Sequence, residues 1–166
     1  MYNDSEYINI ISDILENKKF SNTKNCKHHG ITRFEHSLRV SYYSYKITKI
    51  LKLGYIETAR AGLLHDFFIT DELTGKDKKF RIVIHPYKAL ENSKKYFTLN
   101  EKEKDIIINH MFPTLPHKIP KYLESWIVSL IDKFVAIYEF SCSYKKTLLF
   151  NYSKVYLTMI LILCRV

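Results

Sequence analysis

Apolar residues recur at helical spacing along most of this chain. Tyr7, Ile8, Ile11, Ile14 and Leu15 lie three or four apart and predict a short first helix, after which Lys18 to Gly30 reads as a loop. Thr32 with Glu35 three residues later has the form of a capping box. A second helix is therefore expected from Arg33, with Val40, Tyr43, Ile47, Ile50 and Leu51 on one apolar face and Gly54 at its end. A third, beginning near Tyr55, carries Ala59, Ala61, Gly62, Leu63 and Leu64. It is apolar nearly all round, with small residues that admit a close neighbour.

Ile69 to Arg81 is polar and reads as a surface loop and possible lid. His85-Pro86 has the form of a cap residue followed by Pro at the first helical position, leading a helix through Ala89, Leu90 and Tyr96. Asn100 and Glu103 open another helix, which runs through Ile106, Ile107 and Ile108 to His110 and stops before Pro113. From Lys121 to Phe140 the residues Trp126, Ile127, Leu130, Ile131, Phe134, Val135 and Tyr138 form a broad apolar face. A last helix is expected from about Leu148 to Cys164. Its most apolar run, from Val155, is too short to cross a bilayer and reads as core.

Composition supports this all-α reading. With 46% apolar residues and only four Gly and four Pro, 166 residues make one helical domain with a real core. Cys26, Cys142 and Cys164 are odd in number and far apart, as in a reduced cytoplasmic protein. Asp4 and Glu6 precede any apolar run, which excludes the charge order of a signal peptide. The net charge of +9 comes mostly from scattered Lys, a surface that attracts anions in general. It suits a phosphorylated small molecule first and nucleic acid second.

Three residues sit oddly on this pattern. His36 falls in the first turn of the second helix, on the side of Val40, where it points inward. Asp66 ends a helix that should be deeply buried, and Asp132 stands between Ile131 and the Phe134-Val135 pair. Burying an ionised carboxylate without a compensating cation is prohibitive, which points to metal.

The ordered series His36, His65-Asp66, His85, His110, Asp132 resembles the HD superfamily of metal-dependent phosphohydrolases, and in its order the binuclear branch to which the HD-GYP phosphodiesterases also belong. The resemblance runs from about residue 26 to 140 and implies an HD-type helical bundle. It implies that His36, His65, Asp66 and Asp132 bind one divalent metal, and that Asp66 bridges to a second held by His85 and His110. His nitrogen and carboxylate oxygen suit Mn, Fe, Zn, Co or Ni. His65 and Asp66 would be the catalytic pair, and the reaction would be hydrolysis of a phosphomonoester or phosphodiester, of a nucleotide above all, by a metal-activated hydroxide.

Two departures matter. The chain reads His65-Asp66-Phe67-Phe68-Ile69, without the Lys of the HDIGK form, and no Gly-Tyr-Pro signature follows His110. Arg33, Lys76 and Lys79, with His29, are the candidate phosphate ligands in place of that Lys. A mononuclear site needing only His36, His65, Asp66 and Asp132 stays open. So does a competing class, a metal-containing module that binds a nucleotide or nucleic acid without turning it over.

Overall fold

A computed structural model describes residues 4–28, 31–69 and 80–163, with side chains as far as Tyr144. Helices run in the order α1 (Ser5–Glu16), α2 (Lys18–Ser21), α3 (Arg33–Ile50), α4 (Tyr55–Leu64), α5 (Arg81–Tyr96), α6 (Glu101–Asn109) and α7 (Leu123–Leu163). The stretch expected as a loop contains α2, a 3-10 turn over Asn22–Asn25, and a hairpin of two two-residue strands, with Lys27 opposite Thr32 and His28 opposite Ile31. The chain is all-α apart from that hairpin. No helix among the described residues is long and apolar enough to cross a membrane.

The α3–α4 pair is the centre of the bundle, but α3 does not bury the face its large apolar residues suggest. Tyr43, Ile50 and Leu51 are exposed, and the buried face carries Ser37, Val40, Ser41, Ser44, Tyr45 and Thr48. The reason is the closeness of α4: a Cβ added at Gly62 would stand 3.1 Å from the Ser41 Cα. Only small side chains fit such a crossing. Their hydroxyls are satisfied inside it, Ser41 donating to the Ala59 carbonyl at 2.6 Å and Tyr7 donating to Ser41 at 2.9 Å. Around this seam Tyr7, Ile11, Ile14, Phe20, Leu63, Leu64, Phe67, Ile106 and Ile107 are fully buried.

Both expected capping boxes form, Thr32 with Glu35 and Asn100 with Glu103. The first fixes the start of α3 and so the position of His36. Gly54 does not terminate α3: the left-handed residue after it is Lys52, with φ of 56°, and Gly54 caps α4. Its missing side chain leaves room for the Lys102–Glu124 ion pair, since a Cβ there would meet the Lys102 Nζ at 2.7 Å.

Two further boundaries differ from expectation. The helix expected to begin after His85 begins at Arg81, so Pro86 lies inside it. Pro86 has no amide to offer the Ile82 carbonyl one turn back. The two helices expected after residue 121 are one, α7, of 41 residues. Nothing between Phe140 and Leu148 breaks a helix, since that stretch holds neither Gly nor Pro. The core role expected of the last segment lies beyond the described side chains.

Candidate metal centre

Five helices deliver six side chains to one place. His36 comes from the first turn of α3, His65 and Asp66 from the end of α4, His85 from α5, His110 from the residue capping α6, and Asp132 from α7. All six are buried. Their donor atoms fall into three overlapping groups, each within a 4.8 Å span: His36, His65 and Asp66; His65, His110 and Asp132; Asp66, His85 and His110.

Three of the rings are fixed by their own helices. His65 Nδ1 donates to the Gly62 carbonyl at 2.8 Å, His85 Nδ1 to the Arg81 carbonyl at 2.9 Å, and His110 Nδ1 to the Ile107 carbonyl at 2.8 Å. With the proton committed to Nδ1, each neutral ring turns an Nε2 lone pair inward, the form in which imidazole binds metal. His36 is held otherwise. Its Nδ1 meets Glu139 Oε2 at 2.8 Å and its Nε2 meets Asp132 Oδ1 at 2.9 Å. Asp132 and Glu139 lie seven residues apart, two turns along one face of α7, with the ring of His36 between them.

The inward-facing atoms do not satisfy one another. His85 Nε2 and His110 Nε2 stand 2.9 Å apart, lone pair toward lone pair, and Asp66 Oδ1 lies 3.4 Å from the first and 3.7 Å from the second. Asp66 Oδ1 and His65 Nε2 are buried with no hydrogen-bond partner among the described residues. Leaving such atoms unmet costs about 1–3 kcal/mol each, more for a charged group. One cation could meet Asp66 with His85 and His110, and another Asp66 with His36 and His65, and imidazole nitrogen with carboxylate oxygen is a donor set that divalent transition metals accept. The residues therefore fit a metal centre.

Burial and charge pull the titrating groups apart. Burial works against charge on His36, yet hydrogen bonds to Asp132 and Glu139 outweigh it and hold the imidazolium up to about 10. Burial also opposes charge on Asp66 and Asp132. The imidazoles around Asp66 and the Arg33 guanidinium hold its carboxyl well below the usual range, and the bond from His36 with the charge of Lys133 does the same for Asp132. At His85 and His110 burial prevails and pushes both rings down, His110 furthest. These two stay neutral at neutral pH, ready to ligate.

A cavity of about 270 Å³ opens beside these residues, lined by Arg33, Asp66, Phe68, Arg81, His85, His110, Asp132 and Lys133 among others. Arg33 reaches it beneath the HD dipeptide: its Nε lies 3.9 Å from Asp66 Oδ2, its Nη1 donates to the Phe68 carbonyl at 2.6 Å, and its guanidinium stacks 3.7 Å from the Phe68 ring centre. Lys133 Nζ donates to Asp132 Oδ2 and to the His110 carbonyl, both at 2.7 Å. Lys76, Lys79 and His29 lie outside the described residues. Lys133 and Glu139 escaped the sequence reading, and only Lys133 had a visible signal, its place beside Asp132; Arg81, read as the end of a polar loop, opens α5 instead. His117 lies at the surface, away from the cluster.

A family model for the HD domain matches residues 33–137, well over half of the chain and every one of the six clustered side chains. No curated protein and no solved structure matched the chain.

Proposed function

The chain belongs to the HD-domain family, and from that premise we propose that it hydrolyses a phosphomonoester or phosphodiester, a nucleotide being the substrate class favoured, with two divalent ions at the buried cluster. The observation that carries this reading is the convergence of unmet Nε2 and carboxylate atoms on a cavity edged with cations. His36, His65, Asp66 and Asp132 would hold one ion. Asp66, His85 and His110 would hold the other. Ions placed there would lower the pKa of water toward neutrality and take up negative charge on the phosphoryl oxygens.

The chain's own residues do the rest. Arg33, the guanidinium nearest Asp66 and bonded through Nη1 to the Phe68 carbonyl, would bring positive charge to a phosphate in the cavity. Lys133 adds a second positive charge from α7, and Arg81 a third from the start of α5, replacing the Lys absent after Asp66. Burial of the cluster keeps bulk water from competing with these contacts. The cavity lies at the small end of ligand pockets, so it admits the phosphoryl group and a small part of what carries it.

Metal analysis of the purified chain, followed by a screen of nucleotide monoesters, cyclic nucleotides and bis(p-nitrophenyl) phosphate under several metals, tests this reading. One to two transition-metal ions per chain and phosphate release abolished by Asp66→Ala are expected. Metal with tight nucleotide binding and no turnover would assign the chain to the non-catalytic class. Absence of metal under every condition would leave a structural His–Asp cluster.

A further inference from the structure

Helix α7 carries two seams on opposite sides, a mixed inner one and an apolar outer one. The inner one runs through Val128, Asp132, Val135 and Glu139, all buried against the bundle. The outer one runs through Leu123, Ile127, Leu130, Phe134, Ile137, Ser141 and Tyr144, alternating four and three residues apart for three heptads. Its large members Leu123, Leu130, Phe134, Ile137 and Tyr144 are 46% to 65% exposed, although they are the kind of residue a core takes first. In sequence register the same spacing falls next on Leu148, Asn151, Val155, Thr158 and Ile162, apolar at every other position.

We infer that this outer face pairs with the α7 helix of a second copy of the chain, forming an isologous dimer. A surface helix that merely tolerates apolar residues scatters them, whereas a 3.5-residue period keeps them facing a second helix along the whole length. At 41 residues α7 is about 60 Å long, enough for several heptads of contact.

The area is sufficient. Whole side chains of this size present roughly 150–200 Å², so the exposed parts of the five leave about 500 Å² per chain in water. Two chains would cover about 1,000 Å², where specific interfaces begin. An adjoining groove between α3 and α7, lined by Tyr43, Ile47, Ile131, Phe134 and Tyr138 together with the cations Arg39 and Lys46, adds to it. Charge does not forbid the contact despite +9 on each copy. Ile131, Tyr138 and Phe140 flank the seam, and Lys133 beside it is turned inward onto Asp132 and the His110 carbonyl.

Sedimentation of the full chain at micromolar concentration tests this directly. Twice the chain mass is expected. Phe134→Glu with Ile137→Glu should return the single-chain mass, raising the dissociation constant by at least about 100-fold while helical content stays constant, since both positions are exposed. Ser141→Leu fills the weakest position of the seam and should tighten association by about tenfold, a gain that misfolding cannot imitate. A wild-type chain that stays single throughout, or a dimer indifferent to the double substitution, would overturn the inference. So would a single chain whose adsorption to phospholipid vesicles the same substitutions abolish, because that outcome assigns the seam to lipid.

Discussion

Glu139 Oε2 stands 2.8 Å from His36 Nδ1, and the other oxygen of the same buried carboxylate accepts from Arg39 Nη1 at 3.0 Å. Of the four clustered imidazoles, His36 is the one whose outer nitrogen meets a carboxylate rather than a backbone carbonyl. A carboxylate partner raises the basicity of the ring and fixes its plane, so loss of its charge should weaken the ion that His36 ligates. Glu139→Gln is expected to lower the affinity for that ion by about 10–100-fold and to leave the other unchanged. Calorimetric titration with Mn²⁺ or Zn²⁺ resolves the two, and equal loss at both would contradict a role confined to His36.

Asp66 belongs to two of the three donor groups, one with His36 and His65 and one with His85 and His110, whereas His85 belongs only to the second. Asp66→Ala should empty the centre and lower phosphate release by at least about 100-fold. His85→Ala or His110→Ala should reduce the ion count from two to one. Elemental analysis after gel filtration checks both, and a count unmoved by the histidine variants would favour the mononuclear arrangement.

The charge on His36 gives the metal-free chain a defined pH response. Its folded pKa is raised from 6.5 to about 10, so the stability it contributes is complete below pH 6.5 and is lost as pH rises through about 10. The melting temperature of the metal-free protein should fall across that window, and His36→Gln should remove this part of the fall. Loading an ion onto Nε2 at about pH 8 must expel the proton held there. A weakly buffered indicator titration should record about one proton released with the ion that His36 ligates; full loading without release would show that His36 is not a ligand.

Lys133 and Arg81 edge the cavity without belonging to any of the metal-ligand groups. Alanine at either should lower kcat/KM by about 10–100-fold, the worth of one charge-assisted hydrogen bond, with the ion count unchanged. Steady-state kinetics alongside metal analysis separates this from damage to the centre. A variant that loses ions as well would place its side chain in the support of the cluster.

Phe67 occupies the position after Asp66, and its ring packs 5.4 Å from Phe20, 6.0 Å from Tyr96 and 6.3 Å from Phe97. Phe67→Ala should destabilise the fold by about 3–5 kcal/mol, read from denaturant unfolding. A loss under about 1 kcal/mol would mean that the cavity refills and that these aromatics do not act as one cluster.

The sequence was most informative where a local rule applies. Both capping boxes are legible because the reciprocal bonds of Thr32–Glu35 and Asn100–Glu103 need only four residues. The side chains the structure clusters were legible as a series because His and Asp among apolar neighbours need a reason. The buried face of α3 was not legible, since it is set by how near α4 comes, and Ser41 and Ser44 look polar until Gly62 is packed against them. Glu139 escaped for a related reason: a lone Glu late in a helix reads as solvated, and only the path of α3 brings His36 to it. The start of α5 was misplaced because His85-Pro86 imitates a cap, whereas the preceding Arg81 to Ile84 continue the helix upstream of it.

The Nδ1 anchors of His65, His85 and His110 all lie within one turn of their own rings. Each ring therefore takes its tautomer and heading from a short piece of local backbone and waits for no distant contact. Such a cradle is finished while still empty. An ion supplied to the folded chain would therefore find these three rings already turned toward it.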